Sequence, residues 1–411
     1  MDMTTYAKKH PQISAPTAQL LLPGLSQVEP RIRRTDGPLT TETHTSTGAT
    51  GTTAKNGSLT SVNGTHRLAS EHELAPPFIR TVCGDARSLP IADDSVDLIV
   101  TSPPYWKKRD YGAEGQIGQE DTPAEFVSAM VDCLREWRRV LRTTGSVFLN
   151  IGDSFHKRSL AGIPGRVEAA ANDDGWRIRN RIIWAKDRGM PEAVHNRLAG
   201  RHEYVIHLVP GNDYYYDLFG YSAEVGNGTN PGDVWYISPE RYMGGHLAPF
   251  PEELVRRAIL LACPEAVCAT CGMPRRRIVE RTRELDPSRP QALRAMELAE
   301  EGGLTDEHIA AIQATGVSDA GKALRTQNGT GRNSAEVKAL AMEAKEVLGG
   351  YFREFTFARR RAAGWTSCCD EAAFQPGVVL DPFVGTGTTL RVAEAMRRSA
   401  IGIDLLPHWE E

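Results

Sequence analysis

No apolar run in this 411-residue chain approaches membrane-spanning length, and the opening MDMTTYAKKH lacks the apolar core of a signal peptide. The expectation is a cytoplasmic protein with no membrane partner. Cysteine is scarce, at 7 residues. In a reducing compartment that argues against a disulfide framework, so clustered thiols are read first as metal ligands or buried side chains. A positive charge excess is also missing. The formal net charge of −4 excludes a general polyanion binder and leaves nucleic-acid contact to local basic patches. Residues 1–75 read as a tail, because the segment LTTETHTSTGATGTTAKNGSLTSVNGTH is mostly Thr, Gly, Ser and Asn and holds too little apolar surface to offset the entropy of ordering. A disordered tail is expected there.

What remains is globular in character, with the whole chain 40% hydrophobic and 24% charged. FIRTVCGDA reads as a strand closing on Asp85, and SVDLIVTS as a second, apolar enough to be buried on both faces. In DTPAEFVSAMVDCLREWRRVLR, Thr122 is a good N-cap, Pro123 suits the first helical position and Glu125 completes a capping box. Phe126, Met130, Cys133, Trp137, Val140 and Leu141 recur at helical spacing, so this is an amphipathic crossover helix. GSVFLNIGD, RIRNRIIWAK and EYVIHLV read as strands and PEELVRRAILLA as a helix. GVVLDPFVGTGTTLRVAEAM is strand, Gly-rich turn and helix, and SAIGIDLL a last strand. Strands alternating with helices predict an open, mostly parallel α/β sheet. Between the cysteine pairs lies a charged helical insertion, with GLTDEHIAAIQATGVSDAGKALR and SAEVKALAMEAKEVLGGYFREF joined by TQNGTGRN.

The Gly-rich turn DPFVGTGTT lets a ligand approach the backbone closely. It is not a Walker loop, because no Lys follows the last Gly, and Leu390 stands where a dinucleotide fingerprint has a third Gly. The next strand ends in Gly402-Ile403-Asp404, an acidic residue placed to hold ribose hydroxyls. Together they point to an adenosine-bearing cofactor without a pyrophosphate.

DLIVTSPPYW runs a buried strand straight into two prolines, which neither donate to a sheet nor continue a helix. With its Ser102-Pro103-Pro104-Tyr105 and its Asp381-Pro382-Phe383-x-Gly385-x-Gly387, the chain resembles the DNA amino-methyltransferases that use S-adenosylmethionine. The resemblance runs from about Thr81 to Leu406, and the catalytic motif precedes the cofactor loop, as in the permuted β class. It implies a Rossmann-like methyltransferase sheet in circularly permuted order: a catalytic half at 76–267, a cysteine-flanked insertion at 268–369 for target recognition, and a cofactor half at 370–411. It also implies that Asp85, Asp381, Pro382, Phe383, Gly385, Gly387, Thr388, Asp404, His246, Ala248 and Phe250 serve the cofactor. The family continues into a helix after the position of Asp404, where this sequence has only LLPHWEE.

The chemistry gives the Pro-Pro corner a purpose. An exocyclic amine is a poor nucleophile because its lone pair is delocalised into the ring. Ser102 Oγ and a carbonyl of the rigid Pro-Pro segment are expected to accept its two N–H bonds, with Tyr105 offering a face for the base. The base must first leave double-stranded DNA. The Ser-Pro-Pro-Tyr form favours the 4-amino group of cytosine; the 6-amino group of adenine is the alternative, and a catalytically weak DNA-binding protein of the same fold a further one. A cognate restriction endonuclease acting separately is a partner the resemblance allows.

Two further constellations stand out. Cys268-Ala-Thr-Cys271 is a CxxC knuckle, and Cys368-Cys369 lies far downstream; the four could form a structural zinc site clipping the insertion, with Cys263 or His408 as substitute ligands. Cys83 and Cys133 read as core residues. Trp106, Lys107, Lys108 and Arg109 beside the catalytic motif, and Arg275, Arg276 and Arg277 after the knuckle, are the candidate DNA contacts.

Overall fold

The structure, a computed structural model, describes residues 74–187, 194–226, 228–239, 250–316, 333–369 and 373–406. The N-terminal segment read as a tail, apart from Leu74 and Ala75, lies outside the described residues, as do His246, Ala248 and His408. Among the described residues no helix is long and apolar enough to cross a membrane.

The chain divides into two compact units. The first is built on eight strands: β1 (Ile79–Cys83), β2 (Val96–Thr101), β3 (Leu141–Ile151), β4 (Arg177–Ala185), β5 (His202–Val209), β6 (Val234–Tyr236), β7 (Val378–Asp381) and β8 (Ser399–Asp404). Their order across the sheet is β1-β8-β7-β2-β3-β5-β4-β6. β5 runs antiparallel to both its neighbours, and every other pairing is parallel. The exception has a local cause: no helix separates β4 from β5 among the described residues, and only antiparallel strands can be joined without a crossover. β2 and β7 are buried at every position, as their Val/Ile/Leu content predicts, and the polar residues they carry, Asp97, Thr101 and Asp381, are buried with them.

Helix α1 (Pro123–Val140) makes the crossover from β2 to β3. Its capping box forms as read, with Thr122 Oγ1 accepting from the Glu125 N–H at 3.2 Å and Glu125 Oε2 accepting from the Thr122 N–H at 3.1 Å. Phe126, Met130, Cys133, Leu134, Trp137 and Val140 are buried in the core, with α2 (Ile163–Asp173) alongside. Helix α3 (Glu252–Ala262) and helix α4 (Thr388–Ala395), which links β7 to β8, pack on each other. Cys83, read as a core residue, is instead exposed, because β1 is an edge strand.

The second unit comprises Asp217–Asn230 and Arg275–Cys368. It takes in the helix Leu218–Val225, which the sequence reading placed in the catalytic half. The sequence-predicted helices are Asp306–Thr315 and Ala335–Leu348, the latter running into a tight helix over Gly349–Phe357. A helix at Pro290–Glu301 and an antiparallel pair, Arg277–Arg281 with Arg360–Trp365, were not foreseen. Leu285, Ala295, Ile312, Leu348, Phe352 and Phe355 form its core.

Candidate active site

From β2 the chain crosses through α1 to β3 on one side; from β7 it crosses through α4 to β8 on the other. β2 and β7 are parallel neighbours, with Leu380 opposite Ile99, so the sheet has a topological switch point between them. A crevice at the carboxyl edge of such a point is where open α/β sheets bind ligands. The Pro-Pro corner leaves β2 there, and the Gly-rich loop leaves β7 there.

A buried bond ties the two together. Thr101 Oγ1 donates to Asp381 Oδ1 at 2.7 Å, and neither residue has exposed surface. Asp381 Oδ1 also accepts from the Phe383 N–H at 3.1 Å, and Oδ2 accepts from Thr389 Oγ1 at 2.6 Å. Burial pushes the Asp381 carboxyl up to about 6, against the pull of the Thr389, Thr101 and Phe383 hydrogen bonds. Asp381 therefore cannot touch a cofactor; it braces the loop from below, a correction to the sequence reading. Pro382 and Thr388 are likewise buried, leaving Phe383, Gly385 and Gly387 partly exposed. Gly385 and Gly387 have φ of +47° and +77°, a region that favours glycine. The Gly385 N–H donates to Asp404 Oδ2 at 2.9 Å, so the carboxylate read as a ribose ligand also shapes the loop. Asp85 is paired with Arg87, Nη2 to Oδ2 at 2.6 Å. Burial works to raise the Asp85 pKa, but the hydrogen bonds and charge of Arg87 hold it below its ordinary value. Phe250 is half-buried just before α3.

Around the corner the structure adds three residues whose roles the sequence did not give: Asn150 near the end of β3, Lys186 just past β4 and Glu203 near the start of β5. Because β5 is reversed, its beginning meets the ends of the others. Asn150 Nδ2 donates to Ser102 Oγ at 3.2 Å and to the Tyr105 hydroxyl at 2.8 Å. The Tyr105 hydroxyl donates to Glu203, whose other oxygen pairs with Lys186. Burial, then the charge and hydrogen bond of Glu203, raise the Tyr105 pKa well above its ordinary value, so the phenol stays protonated. Gly152 makes room for the ring; a Cβ there would lie 2.5 Å from Tyr105 Cε2.

Among the DNA-contact candidates, Lys107 and Lys108 are exposed and Arg109 is half-buried. Trp106 is not a contact: it has no exposed surface, and its Nε1 donates to the Glu120 carbonyl at 2.9 Å. Arg275 and Arg276 are half-buried in the second unit. Arg277 is engaged there too, paired with Asp217 at 3.1 Å and lying 4.4 Å from the Trp365 ring centre, so it is not a free phosphate ligand.

A family model described as DNA methylase matches residues 96–266 and 368–411, spanning the corner, the network and the Gly-rich loop. The chain belongs to this DNA methylase family. The methylase is 35% identical over 216 residues to the Type II methyltransferase M.SmaI of Serratia marcescens, covering 44% of this chain and 74% of that one. It is 35% identical over 210 residues to M.Cfr9I of Citrobacter freundii, covering 43% and 70%. A solved PvuII DNA methyltransferase, titled cytosine-N4-specific, overlays with a TM-score of 0.46 at 14% identity, covering 81% of this chain and 86% of that one.

Proposed function

We propose that this methylase transfers a methyl group from S-adenosylmethionine to the 4-amino group of a cytosine turned out of double-stranded DNA. The observation that carries the reading is the Thr101–Asp381 bond, which fixes the Pro-Pro corner against the Gly-rich loop at the switch point. Serine at position 102 favours cytosine over adenine through the resemblance in the Ser-Pro-Pro-Tyr motif.

The residues present fit such a cofactor. A Cβ at Gly385 would meet nothing within 4 Å, so the loop faces open space, and a carboxylate stands beside it at Asp404. Asp404, Phe383, Gly385 and Gly387 would hold it; Asp85 would serve through whatever acceptor capacity its Arg87 pair leaves. When bound, S-adenosylmethionine supplies a methyl carbon made electrophilic by its sulfonium.

The chain's own residues do the rest. Ser102 Oγ accepts one proton of the target amine, and a carbonyl of Pro103 or Pro104 accepts the other, drawing the nitrogen lone pair out of conjugation. The Asn150 side chain orients the Ser102 hydroxyl from behind. Glu203 and Lys186 act through Tyr105: they anchor its hydroxyl and set the plane of the ring against which the base lies. Tyr105, held as a phenol, is no base; none of high strength is needed, since the methylated amine is acidic. Positioning two reactants at one edge supplies several kcal/mol of the acceleration, on the order of 7 or more for well-oriented pairs. Lys107, Lys108 and Arg109 steer the phosphate backbone toward the corner.

The test is direct. The full chain is incubated with unmodified double-stranded DNA and methyl-labelled S-adenosylmethionine, and the nucleosides are resolved by mass spectrometry. The reading expects label in N4-methylcytosine. Label in N6-methyladenine would overturn the choice of base, and no label in either the reading itself.

A further inference from the structure

We propose that Cys268, Cys271, Cys368 and Cys369 bind one zinc ion, a site separate from the methyl-transfer edge and independent of the reading of it. The four Sγ atoms all lie within 4.8 Å of one another. Tetrahedral zinc with sulfur at about 2.3 Å puts its ligands about 3.8 Å apart, so a small inward turn of the side chains completes the shell. An all-sulfur tetrahedral set is one that soft thiolates offer to zinc rather than to magnesium or calcium.

The first pair sits on a built turn. Cys268 is fully buried and pairs through its strand with Phe374, and the Cys268 N–H donates to the Met273 carbonyl at 2.9 Å. The chain then folds back: the Gly272 N–H donates to the Cys268 carbonyl at 2.9 Å, with Gly272 at φ +72° where a side chain is disfavoured. That fold aims the Cys271 N–H at Cys268 Sγ, at 3.5 Å. Such an N–H stabilises a sulfur that carries negative charge, as an outer-shell partner does in a metal site. Side chains of adjacent residues ordinarily diverge, but the backbone bends at Cys369 and both sulfurs of the second pair come to the same place. Cys263, an alternative ligand in the sequence reading, is not one of the four; it is buried elsewhere, and burial pushes its thiol up to about 12.

Binding would release the thiol protons to solvent and leave four thiolates around the ion. It would also join two points of the chain that bracket the long segment from Gly272 to Ser367.

The full chain is expressed with zinc in the medium, purified under reductant without chelator, and its metals are counted by inductively coupled plasma mass spectrometry. About one zinc per chain is expected, falling at least about fivefold in Cys271→Ser and in Cys369→Ser. Exchange for cobalt(II) in the unaltered chain gives a check that does not depend on a variant folding: the visible spectrum should be that of tetrahedral cobalt in thiolate sulfur. Zinc below about a tenth of an equivalent, together with no such cobalt spectrum, would overturn the proposal. Stoichiometric iron in place of zinc would overturn the choice of ion.

Discussion

Replacing Asp381 with asparagine keeps the shape of the side chain and removes its charge. In the native protein burial raises the carboxyl to about 6, against an ordinary value of 3.8. The folded state thus holds a proton that the unfolded chain has already released. The stabilising contribution is complete below pH 3.8, declines as pH rises, and is gone above about 6. At about 1.36 kcal/mol per pH unit, the gap between these values is worth about 3 kcal/mol. The asparagine amide has no such proton to lose. Relative to the parent, Asp381→Asn should gain about 2.4 kcal/mol of that gap as pH rises from 4 to 7, on top of a constant loss of about 1 kcal/mol for a poorer bond to Thr389. Urea denaturation of both proteins across that range, followed by tryptophan fluorescence, gives the difference curve. Titrations common to both cancel in it. A flat difference, or a variant that loses ground as pH rises, would refute the placement of Asp381 as a dry brace beneath the loop.

Gly152→Ala should drive Tyr105 from its place, since the new methyl would fall 2.5 Å from the ring. Methyl transfer should drop by about tenfold or more while the far-ultraviolet dichroism is unchanged, because a small misplacement at a reacting centre is costly; full activity would show that the ring position is irrelevant. His207 pulls the pH dependence of stability the other way from Asp381. Burial, with the charge of Arg179 adding, lowers its pKa to about 3, so its contribution is present above 6.5 and lost as pH falls. His207→Phe, filling the stack between Phe148 and Tyr216, should shift acid denaturation to lower pH; an unchanged midpoint would count against a neutral buried imidazole.

What the sequence disclosed and what it withheld divide along the range of the interaction. The capping box of α1 spans four residues and was readable, as was the burial of β2 and β7 from their Val/Ile/Leu content. The loop glycines were readable because a positive φ selects the residue itself. Asp381 was noticed for its motif but misplaced, since its partner Thr101 is 280 residues away in sequence. Asn150 and Glu203 meet Tyr105 only because β5 pairs antiparallel with β3, with Ile151 opposite Tyr204. Nothing local in LNIGD or RHEYV encodes that pairing. Trp106 misled for a related reason: an aromatic beside a catalytic motif reads the same whether it faces solvent or the core, and the Glu120 carbonyl and Ser154 that enclose it come from other loops. Arg277 looked like one of three equivalent basic residues until Asp217 and Trp365 set it apart.

The central claim is that the corner at Ser102 grips the amine that receives the methyl group. Single-turnover methyl transfer to unmodified double-stranded DNA, by the parent and by Ser102→Ala, tests it most directly when cofactor affinity is measured on the same preparations. The account predicts a rate lower by about 100-fold or more, the effect of losing a preorganised hydrogen-bonding group, with affinity for S-adenosylmethionine changed by less than about threefold. Equal transfer rates in the two proteins would contradict it.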